Sequence, residues 1–211
     1  MRKSTIPFLL INGLALLLFS CGSNPVKALA EQPVGNGVYQ ATYFSDPQID
    51  YVYKTNITVY GNELSGIFIA KKINETTHRV VFTTEFGNKL LDFEISASDF
   101  KVNSIVEELD RKMLINTLVA DFRLLLREKY DIQAQFEAGE NNVLQSRSGN
   151  RYNYLYVSKS GGKLSQIRHA SKRKEQINIQ YISENNIFAD KIVIQHYNLK
   201  LRIEFNYFKN Q

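Results

Sequence analysis

The side chains that could carry chemistry in this chain are its three histidines and its single cysteine. A histidine can act as a general base or bind a metal ion near neutral pH. His78 and His196 lie in predicted strands and His169 lies in a basic hairpin, and none has a second histidine at metal-ligand spacing. No pair of acidic residues stands out as general acid and base, and no phosphate-binding or nucleophile motif occurs. We therefore expect no catalytic residue, no metal site and no cofactor.

Cys21 has the most specific predicted chemistry. It cannot form a disulfide within the chain because it is the only cysteine. Residues 1–20 have a basic start and an apolar run to Phe19 that is too short to span a bilayer, as in a secretory signal peptide. The segment Leu18-Phe19-Ser20-Cys21 resembles the lipobox of bacterial lipoproteins, which implies cleavage before Cys21 and lipidation of its thiol. The alternative is an ordinary signal peptide followed by an unmodified thiol.

Residues 21–37 are rich in glycine, proline and polar residues, which predicts a flexible tether behind the lipid. Acyl chains on Cys21 would hold the protein at a membrane, because each buried methylene contributes about 0.8 kcal/mol. No acidic residue precedes Glu31, and this resembles lipoproteins that reside in the outer membrane and face the periplasm. We therefore expect a lipid-anchored protein on the periplasmic face of the outer membrane.

Residues 38–211 are expected to form one domain dominated by β-structure. The chain is 44% apolar, with 12 tyrosines and 13 phenylalanines, and aromatic residues are enriched in strands. Its formal charge of +5 includes Arg2 and Lys3 of the predicted signal peptide, so +3 remains after cleavage. So small an excess does not indicate a nucleic-acid partner.

Apolar alternation and turn residues divide this domain into about 9–11 antiparallel strands. Gly61-Asn62, for example, separates the alternating runs 51–59 and 64–73, and Tyr197-Asn198 separates the last two strands. A single sheet of this size tends to curl. The expected fold is α+β, with the sheet curved into a half-barrel.

The longest helical pattern runs from Asp99 to Tyr130, with Ser104 and Glu107 at capping-box spacing. Its apolar residues from Val102 to Leu109, together with Met113, lie on one side of a helix, and those from Leu114 to Leu126 lie on nearly the opposite side. Either the helix breaks at this point or it is enclosed on two sides by a trough-shaped sheet. We expect this central helical segment to cover the concave face of the half-barrel, although an ordinary helix packed on a core would show a similar pattern.

The basic residues from Arg168 to Lys174 form a cluster between two predicted strands. Such a cluster is typical of a solvated hairpin, and it could also bind anionic headgroups or an acidic partner.

The order of these elements resembles the LolA/LolB lipoprotein-localisation superfamily. The resemblance is carried by the lipobox, the strand meander, the central helical segment, the turn in Thr84-Glu-Phe-Gly-Asn-Lys-Leu-Leu and the final hairpin from Lys191-Ile-Val-Ile to Leu199-Lys-Leu-Arg-Ile-Glu-Phe. It implies a half-barrel whose apolar hollow accepts the acyl chains of other lipoproteins, without catalysis.

A hollow of this kind would be lined by alternate strand residues and by residues of the helix that covers it. The residues expected to line it are Ile67, Ile69, Leu91, Phe93, Leu118 and Phe122. Their expected ligand is a lipid or a lipoprotein. The alternative is that side chains fill the hollow and that the protein is a structural or assembly lipoprotein, which holds a protein partner in the cell envelope.

Overall fold

The computed structural model describes residues 24–34, 37–171, 174–184 and 187–208. Cys21 and the predicted signal peptide lie outside these residues. Within them the chain forms one antiparallel sheet of 14 strands and one α-helix, α1 (Lys112–Leu125). The strands are β1 (Ala30–Gln32), β2 (Val38–Gln40), β3 (Tyr51–Val59), β4 (Asn62–Lys72), β5 (Thr77–Thr83), β6 (Lys89–Ser96), β7 (Phe100–Ile105), β8 (Lys129–Ala138), β9 (Asn141–Ser148), β10 (Arg151–Ser158), β11 (Leu164–Ala170), β12 (Glu175–Ile182), β13 (Lys191–His196) and β14 (Leu201–Tyr207).

The sheet joins two meanders. Its strand order is β1-β8-β9-β10-β11-β12-β13-β14-β3-β4-β5-β6-β7, and β2 also pairs with β8. The last strand of the chain, β14, pairs with β3 and so connects the C-terminal meander to the N-terminal one. Within the described residues the edge strands β1 and β7 do not pair with each other, so the sheet is curved but open. The predicted half-barrel with a helix is confirmed.

The strand number exceeds the predicted 9–11 because strands form where the sequence predicts other structures. Ala30–Gln32 lies in the segment expected to be a flexible tether, and it pairs with Gln135 to Glu137 of β8. Phe100–Ile105 lies in the segment expected to be helical, and it pairs with β6. Both strands are largely exposed, so backbone pairing with a neighbour defines them, and alternation of buried side chains does not.

The predicted helix from Asp99 to Tyr130 breaks near Asp110 and Arg111, as one of the two alternatives required. Strand β7 is followed by a short 3-10 helix at Glu107–Leu109, and α1 begins at Lys112. Ser104 is therefore a strand residue opposite Asp92, and it does not cap a helix. The first apolar set lies mainly in β7 and the 3-10 helix, and the second lies mainly in α1.

Helix α1 packs on the concave face of the sheet. Leu118 and Phe122 are buried, and the ring of Phe122 lies 5.3 Å from that of Phe68 on β4. Because side chains alternate along a strand, Ile67 and Ile69 point to the convex face.

A second, smaller apolar cluster lies on the convex face. It consists of Val26 from the predicted tether with Val143, Tyr154 and Ala170 from β9, β10 and β11. The chain is thus held against the outside of the sheet soon after the predicted lipidation site. None of the helices in the described part of the chain is long and apolar enough to cross a membrane.

Candidate functional site

A cavity of about 620 Å³ lies beside α1, between two flanks of the sheet. His78 and Ile95 of β5 and β6 line one side, and His169 and Ile177 of β11 and β12 line the other. Four strands separate β12 from β5 in the sheet order, so the curvature of the sheet brings these flanks face to face. The volume falls within the range of about 300–1,000 Å³ that is typical of small-molecule sites.

One part of the cavity wall is aliphatic and buried. Leu124 lies in the last turn of α1 and Leu126 directly follows it, and Ile95 and Ile177 come from the two flanks of the sheet. Along β6, Ile95 continues the alternation of the buried residues Leu91 and Phe93. These four side chains can accommodate a flexible apolar group.

Another part of the wall is cationic. The guanidinium group of Arg123 donates hydrogen bonds to the backbone oxygens of Ser96, at 2.8 Å, and Asp99, at 3.1 Å. The guanidinium group of Arg127 lies 4.6 Å from the ring centre of Tyr130, and its Nε donates to the Lys129 oxygen at 2.9 Å. These groups hold the two arginines in place without neutralising them.

His169 is held neutral beside these cations. Its Nδ1 donates to Asn153 Oδ1 at 2.6 Å. Burial, reinforced by the positive charges of Arg151 and Arg127, lowers the pKa of His169 to about 4. The imidazole therefore carries no charge at neutral pH.

The opposite side of the cavity contains a carboxylate that is paired with a lysine of the same chain. Glu128 accepts from Lys72 Nζ at 2.7 Å, and His78 lies 3.7 Å from the same carboxylate. His78 Nε2 lies 2.8 Å from the Phe44 carbonyl oxygen, and burial lowers the pKa of His78.

A smaller cavity of about 280 Å³ adjoins the first, and Ala120, Arg151 and Ile177 line both. Its wall includes Asp121 of α1 and His196 of β13, whose carboxylate oxygen and Nε2 are 2.9 Å apart. Both side chains are buried, and His196 Nδ1 has no hydrogen-bond partner within the described part of the chain. Burial raises the pKa of Asp121, although the hydrogen bond and charge of His196 act in the opposite direction.

The six residues predicted to line a hollow do not line either cavity. Leu91, Phe93, Leu118 and Phe122 are at most 3% exposed and belong to the main core. The structure brings these four together but fills the space between them. Ile67 and Ile69 lie on the convex face, away from α1, so the face of β4 expected to point inward is corrected to that of Phe68 and Ala70.

Sequence reasoning missed the residues that do line the larger cavity, although some had a signal. Ile95 and Ile177 lie in alternating apolar patterns that predict strands, whereas Arg127 and Lys129 stand near the end of the predicted helix, where cations are common.

The predicted basic cluster is divided between the two faces of the sheet. Arg168 lies 5.1 Å from the ring centre of Tyr156 on the convex face, whereas His169 reaches the cavity. Lys172 and Arg173 are outside the described residues. Within those residues no group of three or more histidine, cysteine or acidic side chains is placed to hold a metal ion.

Known proteins resemble this chain in fold and not in sequence. No protein-family model and no curated protein matches the chain in sequence. A LolA superfamily protein from Nitrosomonas europaea superposes with a TM-score of 0.51 at 11% identity, covering 79% of this chain and 87% of the other. The two proteins share a fold. The resemblance predicted from the order of elements is thus confirmed for the fold.

Two further solved structures are less similar. A DUF1329 family protein from Desulfovibrio piger has a TM-score of 0.42 at 9% identity, covering 76% of this chain and 84% of the other. A domain from Vibrio parahaemolyticus, named as an outer membrane lipoprotein-sorting protein, has a TM-score of 0.45 at 6% identity, covering 76% of this chain and 83% of the other.

Proposed function

We propose that this protein is a lipid-anchored lipoprotein on the periplasmic face of the outer membrane, and that it binds acyl chains of a lipid or of another lipoprotein in the localisation of lipoproteins. The observation that carries the proposal is the cavity of about 620 Å³ between α1 and the curved sheet. The LolA-like fold supports the same role, which is non-catalytic.

The aliphatic part of the cavity supports acyl-chain binding. Transfer of each methylene group from water to an apolar wall such as that of Ile95, Leu124, Leu126 and Ile177 contributes about 0.8 kcal/mol. A chain of several methylenes would therefore gain enough free energy to bind. Helix α1 forms one side of the site, so a small displacement of α1 would enlarge it.

The path of the N-terminal segment supports a ligand other than the protein's own anchor. Val26 packs on the convex face with Val143 and Tyr154, whereas the cavity opens on the concave side. The described part of the N-terminal segment thus lies on the face opposite to the cavity.

A second candidate function is that of an assembly lipoprotein that binds a protein partner. The observation that favours it is the edge strand β7, where Phe100 and Val102 are exposed. An exposed strand edge can accept a strand from another protein through backbone hydrogen bonds.

Native mass spectrometry tests the acyl-chain proposal on the form that lacks residues 1–21, which retains every contact described above. We expect the wild-type form to carry co-purified lipid. Ala120 is an exposed residue of α1 that lines both cavities, so Ala120→Phe should fill the site and reduce the bound lipid.

The control is Lys112→Phe, which adds the same ring at an exposed position in the first turn of α1, outside both cavities. It should leave lipid binding unchanged. A wild-type protein that carries no lipid and binds no fluorescent fatty acid would contradict the proposal and favour the assembly role.

A further inference from the structure

The charges around the larger cavity are strongly unbalanced. Its lining includes the four cations Arg123, Arg127, Lys129 and Arg151 and the two carboxylates of Glu75 and Glu128. Glu128 is already paired with Lys72 at 2.7 Å, which leaves Glu75 as the only lining carboxylate in the described part of the chain without an ion-pair partner. The cavity therefore has an excess of positive charge.

The arginines of the cavity differ from Arg79 and Arg202 of the convex face. Arg79 and Arg202 each bind a carboxylate, with their Nη2 atoms 2.6 Å from Asp92 and 2.7 Å from Glu204. Within the described residues, no carboxylate lies within ion-pair distance of Arg123, Arg127 or Arg151. Arg123 and Arg127 are instead held by neutral carbonyl oxygens and a tyrosine ring. Positive charge fixed in this way is available to an anion from outside the chain.

The charged and aliphatic parts of the cavity wall differ in their exposure to solvent. Arg151 and Lys129 are exposed, whereas Leu126 and Ile95 are 4% and 2% exposed. A bound molecule would therefore meet cations near solvent and aliphatic side chains deeper in the cavity. This arrangement is complementary to an amphiphile with a negatively charged head.

We propose that the cavity beside α1 binds an anionic amphiphile, a molecule with an acyl chain and a carboxylate or phosphate head, and that the head binds at the guanidinium groups of Arg127 and Arg151. The inference rests on the proposed function and specifies the ligand class of the same site. Guanidinium groups suit both heads because their N–H donors match two oxygen atoms at once.

A pair of probes that differ only in charge separates this inference from the proposed function. The probes are dansyl-labelled undecanoic acid and its methyl ester, titrated against the form that lacks residues 1–21 at low ionic strength. We expect the acid to bind at least about tenfold more tightly, as a charge-assisted hydrogen bond predicts. Equal binding of the acid and the ester would overturn the proposal that the ligand has an anionic head, but it would leave the proposed acyl-chain site supported. Failure of both probes to bind would overturn both proposals.

Two arginine variants test where the anionic head of the ligand binds. Arg151→Gln should weaken binding of the acid about tenfold and change binding of the ester less than about twofold, because it removes a charged donor and little apolar area. Arg147→Gln is the matched control, since Arg147 lies on the other side of the same β9–β10 turn, is exposed and does not line the cavity. Similar losses of affinity for the acid in the two variants would show a general effect of net charge, and they would overturn the assignment of the head to Arg151.

His169 provides a second readout, which does not depend on mutation. Burial lowers the pKa of His169 to about 4, and the positive charges of Arg151 and Arg127 contribute to this shift. An anion beside the two arginines would offset their contribution, so the acid should raise this pKa and the ester should not. NMR titration of the His169 ring measures this pKa, and an unchanged pKa in the acid complex would contradict the inference.

Inorganic phosphate and decanoate serve as competitors for the labelled acid. We expect decanoate to displace the labelled acid at a much lower concentration than phosphate does. Displacement by both at the same concentration would show that the site binds free anions, and it would overturn the proposal of an amphiphilic ligand.

Discussion

Gly66 is the glycine of the described residues at which packing leaves no room for a side chain. A Cβ atom at this position would lie 2.1 Å from the backbone oxygen of Thr83 and 2.9 Å from the ring of Phe82. The side chain of any other residue would therefore push β4 away from β5, where neighbouring residues pair.

We expect Gly66→Ala to lower the free energy of unfolding by about 1–3 kcal/mol, the usual effect of adding a methyl group to a tightly packed site. Urea denaturation measures the change. Gly161→Ala is the control, because no atom lies within 4 Å of the Cβ position there. Equal stability of the two variants would contradict the close approach of β4 and β5.

Asp92 is a buried carboxylate on the convex face with three cationic or amide donors. Arg79 donates two hydrogen bonds to it, at 2.9 and 2.6 Å, Lys89 donates one at 2.8 Å, and Asn103 donates one at 3.3 Å. The Arg79 hydrogen bonds, followed by those of Lys89 and Asn103, hold the pKa of Asp92 well below its usual range despite burial. The group joins β5, β6 and β7.

Asp92→Asn should lower the free energy of unfolding at pH 7 by about 1–3 kcal/mol, because two cations lose their acceptor. Since the folded-state pKa of Asp92 is depressed, its contribution is present above the unfolded-state pKa of about 3.9 and is lost as the pH falls towards the folded-state pKa. The difference between wild type and variant should therefore shrink below about pH 4. Urea denaturation at a series of pH values checks this, and a difference that stays constant down to pH 2 would contradict the assignment.

Helix α1 is attached to the sheet by apolar packing on one side and by a buried polar contact on another. Leu118 and Phe122 supply the packing, and the 2.9 Å contact between Asp121 and His196 joins α1 to β13. The polar contact lies in the wall of the smaller cavity, so it limits how far α1 can move away from the sheet.

Asp121→Ala should leave buried His196 without a partner at either ring nitrogen, since Nδ1 has none already. We expect a loss of about 1–3 kcal/mol in the free energy of unfolding and faster amide exchange in α1 than in the strands. Hydrogen exchange followed by mass spectrometry measures both. Asn116→Ala, at an exposed position of the same helix, should exchange like the wild type; a similar acceleration in both variants would show that the contact does not hold α1.

The open sheet leaves the protein with two distinct faces. Packing of Val26 on Val143 and Tyr154 brings the N-terminal segment to the convex face, while α1 and both cavities occupy the concave one. The described part of the N-terminal segment and the proposed ligand site thus lie on opposite faces of the sheet.

Replacing Cys21 by Ser should abolish lipid attachment and leave unprocessed precursor, because the thiol is the sole acceptor in the chain. Metabolic labelling with a palmitate analogue measures the attachment. The control is Ser23→Ala, a nearby substitution that leaves the thiol in place, and it should be labelled like the wild type. Equal incorporation into Cys21→Ser and the wild type would contradict the lipoprotein proposal.

Strand β4 shows where prediction from the sequence succeeds and where it stops. Alternation and the Gly61-Asn62 turn predict the strand correctly, but both of its faces carry apolar residues, with Ile67 and Ile69 on one and Phe68 and Ala70 on the other. A period of two indicates which residues share a face and not which face is inside. The inward face was therefore assigned wrongly.

The segment from Asp99 to Tyr130 shows a related limit. The reversal of its apolar face left two alternatives open, and the structure confirms the one in which the helix breaks near Asp110. That the first part becomes an edge strand depends on β6, whose free backbone groups it pairs with, and a weak local preference is overridden by such a partner.

Local signals in the sequence determined the signal-peptide and lipidation hypotheses and most strands and turns, because each depends on residues that are close together in the chain. The number of strands then predicted that the sheet curls. Only the tertiary structure decided which apolar residues fill the core and which line a cavity. It also decided that Asp121 meets His196, 75 residues away, and that Arg127 and Arg151 surround one space. These features depend on the curvature of the whole sheet, which brings flanks four strands apart to face each other, and no short stretch of sequence encodes that distance.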